Sequence, residues 1–297
     1  MSKKLILAGD IGGSHITIGK FIESSDGYQL DKIQRIPVDS YAAKSDILNE
    51  WATFIKSMAN FNETFLLSLA MPAPFDYNNG ICLIQEQGKF KHLYNVNLRD
   101  ELSVLLGIPP SNIKFINDAQ AFLLGENYFG MVNGANRVLG LTLGSGLGSS
   151  IKINRDIKDG ELWKSSFKDG IAEDYLGSSW FVNWVRKESG IQVEGVKEII
   201  QDQQIFLKAG GVFDVFADNL ADFIALHHSN LELDKVILGG NITLSSSFFL
   251  NRVIANLRQK EIHIPVEISQ LGEKSAVFGA LALIFEKKLQ LGEKLIV

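Results

Sequence analysis

Cysteine is nearly absent from this chain. Its one copy, Cys82, excludes an intramolecular disulfide and any zinc site built from a cluster of thiolates. No apolar run approaches the roughly 20 residues that a membrane-crossing helix needs, and the first residues lack a signal-like hydrophobic region. Positive charge is not in excess either: 29 Lys and Arg stand against 34 Asp and Glu, for a net charge of −5. That balance argues against a general nucleic-acid surface or an anionic-membrane patch. Few residues precede the first apolar stretch, so an N-terminal helix-turn-helix is not expected. These absences together predict a cytoplasmic protein whose partners are small molecules rather than nucleic acid or membrane.

What is present is ordinary globular material: 297 residues, 46% hydrophobic and 21% charged, enough for one or two domains with sizeable cores. The stretch 3–21 stands out. It reads as an apolar strand, a turn at Gly12-Gly13-Ser14 and a second strand leading back. Glycines there let backbone N–H groups approach an anion, Ser14 adds a hydroxyl, and Asp10 supplies a carboxylate for a hydrated magnesium ion. Taken alone the stretch is equally an ordinary hairpin. A second copy at 137–153, with Gly144-Ser145-Gly146-Leu147-Gly148 at its turn, tips the balance. Two such hairpins predict two related half-domains facing a shared cleft. Neither turn is a Walker loop, since no Gly-Lys-Ser/Thr follows, and neither opens a helix.

Elsewhere the pattern alternates strands and helices. Strands are predicted at 28–38, 64–70, 112–116, 234–238 and 262–268, and helices at 46–58, 97–106 (capped by Asn97), 119–128, 172–187, 193–201, 213–228, 246–259 and 275–288. Residues 156–169 read as a polar loop, and 85–94 as a Gly- and charge-rich stretch holding Lys89, Lys91 and His92. The order implies an α/β protein with largely parallel central sheets. No low-complexity linker separates domains, so the boundary is predicted as a compact crossing near Asp118. Asp118 itself reads two ways: as a helix N-cap, or as a general base at the carboxyl end of a buried strand. His227 and His228 are neighbours on a predicted helix and point apart, which disfavours a shared metal site.

In this order, Asp10-Ile-Gly-Gly-Ser14, Pro72-Ala-Pro74, Asn117-Asp118-Ala119, Gly144-Ser-Gly-Leu-Gly148, Leu238-Gly-Gly240 and the Gly279-Ala280 helix resemble the ROK (repressor, open reading frame, kinase) sugar kinases. The resemblance implies two actin-like, ribonuclease-H-like α/β domains with a cleft between them. Residues 1–117 would form the smaller domain and 118–280 the larger, with 281–297 packing back on the first. It implies ATP-dependent phosphorylation of a hexose or amino sugar, glucokinase-like, by a homodimer. Asp118 would be the general base. Asn117, Pro72, Ala73, Glu161, Lys164 and Glu173 would bind the sugar, and Gly12, Gly13, Ser14, Gly144, Ser145 and Gly146 the phosphates. Asp10 would orient magnesium through water, while Gly239 and Gly240 leave room for the nucleoside.

Departures from the family pattern also carry information. The usual Glu-x-Gly-His segment aligns with Glu161-Leu162-Trp163-Lys164, and the usual later Glu with Glu173, but the zinc loop between them is missing. No structural zinc is expected. If Lys164 points inward between Glu161 and Glu173 it would donate to the sugar and favour substrates carrying an acceptor; otherwise it faces solvent. A non-catalytic, ROK-type sugar sensor lacking a DNA-binding domain is the alternative function, and an actin-like filament subunit a more distant one.

Overall fold

The structure is a computed structural model that describes residues 5–24, 27–59, 64–85, 89–132 and 134–285. Lys3 and Lys4 of the opening stretch, 86–88 of the charge-rich stretch, and everything from 286 onward lie outside the described residues, including most of the 281–297 segment expected to pack back. The chain divides into two compact units, 1–129 with 274–297, and 130–273.

In the first unit, β1 (Leu5–Ile11) pairs antiparallel with β2 (His15–Ser24), which pairs antiparallel with β3 (Gly27–Pro37). Helix α1 (Lys44–Met58) follows and buries Ile47, Leu48, Trp51, Ile55 and Met58, the residues whose spacing predicted it. Strand β4 (Phe65–Met71) then joins the other side of β1 in parallel. A short antiparallel ribbon, β5 (Phe75–Asp76) and β6 (Ile81–Cys82), leads to α2 (Leu98–Leu106). The Asn97 side chain accepts from the Arg99 and Asp100 amides, a capping bond that fixes where α2 begins. Strand β7 (Ile113–Asn117) runs parallel to β4, and α3 (Asp118–Phe129) starts at the next residue. The sheet order is β3-β2-β1-β4-β7. Leu5, Leu7 and Ile11 join the core with α1 and α2, while Ile6 and Ala8 are buried on the opposite face. Both faces of β1 are therefore covered, and its apolar run needs no alternation.

The second unit repeats the plan. Strand β8 (Arg137–Leu143) pairs antiparallel with β9 (Leu147–Ile153), and β9 with β10 (Asp156–Asp159). Residues 156–159 are thus a strand and not the start of a loop; their polar side chains alternate around buried Ile157 on an edge strand, so composition hid them. A ribbon of β11 (Ser166–Phe167) and β12 (Gly170–Ile171) precedes α4 (Glu173–Leu176) and α5 (Ser178–Ser189). The single helix expected over 172–187 is two, because Gly177 between them is extended (φ −92°, ψ 167°). Helices α6 (Val196–Gln201), α7 (Gln203–Ala209) and α8 (Val212–Leu231) follow; α7 was not foreseen, and its N-terminus is marked by Asp202, which accepts from the Gln204 and Ile205 amides. Strand β13 (Lys235–Gly239) is parallel to β8, α9 (Leu250–Gln259) begins only after a 3-10 stretch at Asn241–Phe248, and β14 (Val266–Ile268) closes the sheet. The order is β10-β9-β8-β13-β14, strand for strand that of the first unit.

The last described helix, α10 (Ser275–Ile284), belongs to the first unit and packs on α3, β1 and β4. Its crossing with α3 leaves no room for side chains. A Cβ on Gly279 would lie 1.8 Å from the Ala121 carbonyl oxygen, and one on Gly125 would lie 2.0 Å from that of Ser275. Beside this crossing the Ser275 hydroxyl donates to the Glu126 carboxylate over 2.7 Å, both side chains fully buried. Gly279→Ala is expected to force the helices apart. It should cost about 1–3 kcal/mol and lower the thermal midpoint by about 3–10 °C in a calorimetric scan.

Candidate active site

The predicted site residues fall into two sets, one in each unit. In the first unit Asp10 is the half-buried residue of β1, followed by buried Ile11, and shares a face with Ile6 and Ala8. The turn after it is narrow: Ile11 pairs with Ile16, and the Gly12 N–H donates to the His15 carbonyl over 2.9 Å. That bond removes one of the amides expected to face an anion and leaves Gly13 and Ser14 to supply them. The Ser14 carbonyl accepts from the Val38 N–H at 2.9 Å, and its hydroxyl lies 2.9 Å from His15 Nδ1. The Lys89 side chain lies over Gly13, where a Cβ would sit 2.3 Å from its Cδ.

At the carboxyl end of β7, Asn117 and Asp118 divide the first amides of α3 between them. The Asn117 side chain performs the capping, accepting from the Gln120 N–H at 2.9 Å, while Asp118 is the first residue of α3 and takes the Ala119 N–H at 2.8 Å. Asn117 is nearly fully buried and its amide also donates to the Tyr77 hydroxyl at 3.1 Å, which in turn donates to the Met71 carbonyl at 3.1 Å. Tyr77 thereby ties the loop of Pro72 and Ala73 to Asn117. Sequence reasoning missed it; its aromatic ring in a polar turn was the available sign. The Ala73–Pro74 peptide is cis.

In the second unit the turn 144–146 closes through the Gly144 N–H to the Gly146 carbonyl at 3.0 Å. Two groups from the α4–α5 region hold it. Ser178 donates to the Gly144 carbonyl from both its N–H (2.9 Å) and its hydroxyl (2.8 Å). The Glu173 carboxylate accepts from the Leu147 N–H at 2.9 Å, and lies so close that a Cβ on Gly146 would be 2.3 Å from Oε2. Glu173, expected at a sugar hydroxyl, therefore spends one oxygen on the backbone beside this turn. Gly240 has φ +85°, and a Cβ there would lie 2.4 Å from the Leu143 carbonyl oxygen, so its own chain demands the glycine.

Glu161 is in the left-handed region (φ +48°), unusual for a residue with a side chain. Its N–H donates to Asp159 at 2.8 Å, and burial pushes the Asp159 carboxyl above the usual carboxylate range despite that bond. The Glu161 carboxylate pairs with Lys164 at 2.9 Å, and both side chains are more than half exposed. Among the described residues no ion pair joins Lys164 to Glu173, so the triad imagined for an inward lysine is not formed. The His227 ring packs edge-on against Phe223, 4.5 Å between centroids, and burial lowers its pKa; it joins no metal cluster among the described residues.

Duplicated five-stranded units with a Gly-rich hairpin turn in each define a protein of the two-domain actin-like class. The structure of a ROK family glucokinase from Streptomyces griseus, determined with glucose and AMPPNP, superposes with a TM-score of 0.74 at 19% identity. That match covers 94% of this chain and 98% of the other. The ROK family model matches residues 6–162, more than half of the sequence, and the chain belongs to the ROK family. A glucokinase of Thermotoga maritima is 31% identical over 151 residues, 51% of this chain and 45% of its own. An N-acetyl-D-glucosamine kinase of Aliivibrio salmonicida is 29% identical over 154 residues, 51% of this chain and 47% of its own. The chain thus spans about half the length of the curated relatives it matches. Lys164, Glu173, Gly239 and Gly240 lie beyond the matched segment.

The bond between Glu173 and the Leu147 amide generates a direct test. Glu173→Ala should leave that amide unpaired and speed its hydrogen exchange by about 10–100-fold, the loss of a bond to a charged acceptor. Glu173→Gln, which keeps an acceptor oxygen, should retain most of the protection in an amide-resolved exchange experiment.

Proposed function

We propose that the protein transfers the terminal phosphoryl group of ATP to a hydroxyl of a hexose or amino sugar, with Asp118 as general base. The observation that carries this reading is the division of labour after β7. Asn117 takes the Gln120 amide as the cap of α3, and Asp118, the first residue of that helix at the carboxyl end of a buried strand, accepts from the Ala119 N–H through one carboxylate oxygen. The names of the curated relatives and the glucose and AMPPNP of the Streptomyces structure support sugar and ATP as the substrates.

The sugar hydroxyl oxygen attacks the γ-phosphorus as its proton passes to Asp118, and ADP departs. Asn117, with Pro72 and Ala73 beside it, orients the sugar; Glu161 and the second oxygen of Glu173 accept from its other hydroxyls. The exposed Lys164 holds the Glu161 carboxylate in place. The Gly13 and Ser14 amides and the Gly144–Gly146 turn meet phosphate oxygens, and Gly239 and Gly240 lie against the nucleoside. Asp10, a hard oxygen donor next to the first turn, suits a hydrated magnesium ion, which neutralises phosphate charge when bound. We further place the protein in the cytoplasm, on its single cysteine, and assign it a homodimer, on family resemblance. No described helix is long and apolar enough to cross a membrane.

A coupled ADP-release screen over hexoses and amino sugars tests the reading. Asp118→Asn should lower kcat by about 10²–10⁴-fold on the best substrate with the fold intact; near-normal turnover would remove Asp118 from the chemistry. Sugar binding without turnover in the wild-type protein would favour the sensor. Activity should also require magnesium and survive removal of zinc, because Cys82 alone builds no thiolate site. Elemental analysis showing stoichiometric zinc, with activity lost on its removal, would contradict this.

A further inference from the structure

Lys89 lies across the first Gly-rich turn. A Cβ on Gly13 would be 2.3 Å from its Cδ, 2.9 Å from its Cε and 3.1 Å from its Nζ. The outer half of the stem therefore rests on the turn's backbone, and the ammonium ends beside it. Lysines ordinarily extend into water; this one is half-buried.

Its starting point is fixed by the next residue. Phe90 is fully buried, donates its N–H to the Ser40 carbonyl at 2.7 Å, and meets Trp51 edge-on with 5.6 Å between ring centroids. It also holds a left-handed backbone (φ +56°), a conformation that persists only where the surroundings over-determine it. The chain thus accepts local strain at Phe90, and its consequence is the placement of Lys89. Among the described residues nothing pairs with the Lys89 ammonium.

The turn beneath is short of donors, because the Gly12 N–H is taken by the His15 carbonyl and the Ser14 hydroxyl is in contact with His15 Nδ1. Two remaining amides hold a multiply charged anion poorly. An ammonium beside them supplies a full positive charge and three further donors, a combination suited to phosphate.

We propose that Lys89 is a phosphate-binding residue that acts with the Gly13 and Ser14 amides on the terminal phosphoryl group of the nucleotide. The identity of the anion rests on the phosphotransfer reading above; the geometry belongs to the first unit alone. Lys89 would bind that group in the ground state and stay with it as it is transferred.

Two measurements test this on the full chain. Lys89→Met keeps the stem over Gly13 and removes the charge, Lys89→Arg keeps the charge, and Lys89→Gln is a second neutral variant should the first not fold. With the best sugar saturating, the neutral variants should lose about 10–100-fold in kcat/KM for ATP. KM for the sugar should stay within about twofold, and arginine should recover part of the loss; a merely structural lysine would move both substrates together. Separately, calorimetric titration of tripolyphosphate into sugar-free protein should show affinity falling about tenfold or more in the neutral variants. Wild-type protein that binds no tripolyphosphate, or neutral variants that bind it unchanged, would overturn the proposal. Absence of phosphotransfer to any sugar would defeat the kinase reading instead, and the tripolyphosphate titration would still decide the role of Lys89.

Discussion

Close approach to a bare backbone is the constraint on which both units depend. At Gly13, Gly146, Gly240 and Gly279 another group lies where a Cβ would have to go, and at the last three the blocking group is a carbonyl or a hydrogen-bonded carboxylate that cannot easily give way. Such contacts bring elements nearer than ordinary side-chain packing permits. They set the α3–α10 crossing in the first unit, the seat of Gly240 against Leu143 in the second, and the support behind each hairpin turn. A turn built this way carries little side chain of its own, and its backbone meets a group from elsewhere in the same unit.

The duplicated strand order places chemistry at equivalent points of each unit, yet the two copies support their turns with opposite charges. In the second unit the Glu173 carboxylate is engaged with a backbone N–H of its own hairpin. That use is structural and occupies one of the two carboxylate oxygens. In the first unit the side chain over the turn is the lysine, and its charge is not spent on another described residue. Under the proposed phosphotransfer, this ammonium attracts the phosphate that its turn would bind.

The same economy governs the end of β7. A helix that starts immediately after a strand leaves amides to satisfy, and neighbouring Asn and Asp side chains compete to satisfy them. Asn117 takes the Gln120 amide and is held by Tyr77, which in turn bonds Met71 at the end of β4. Two segments distant in sequence, 71–77 and 117–120, thereby brace one amide side chain, and the adjacent carboxylate is positioned by a residue that does not itself need to be charged.

Much of this was written in the local pattern. The hairpins at 5–21 and 137–153, the buried strands β4, β7 and β13, the apolar stripe of α1 and the Asn97 cap of α2 follow from periodicity and turn chemistry, which report burial and backbone needs within a few residues. The edge strand β10, the break at Gly177 and the helix α7 escaped because polar composition on an exposed edge, or a glycine between two short helices, looks the same in a loop. What only the tertiary structure decided is which distant side chain meets each turn. Lys89 over Gly13, Glu173 behind Gly146, Tyr77 on Asn117 and Gly279 against Ala121 join segments far apart in the chain. Glycines in a sequence mark where something must come close; the group that arrives depends on strand register and helix placement, and these are settled only when the whole unit packs.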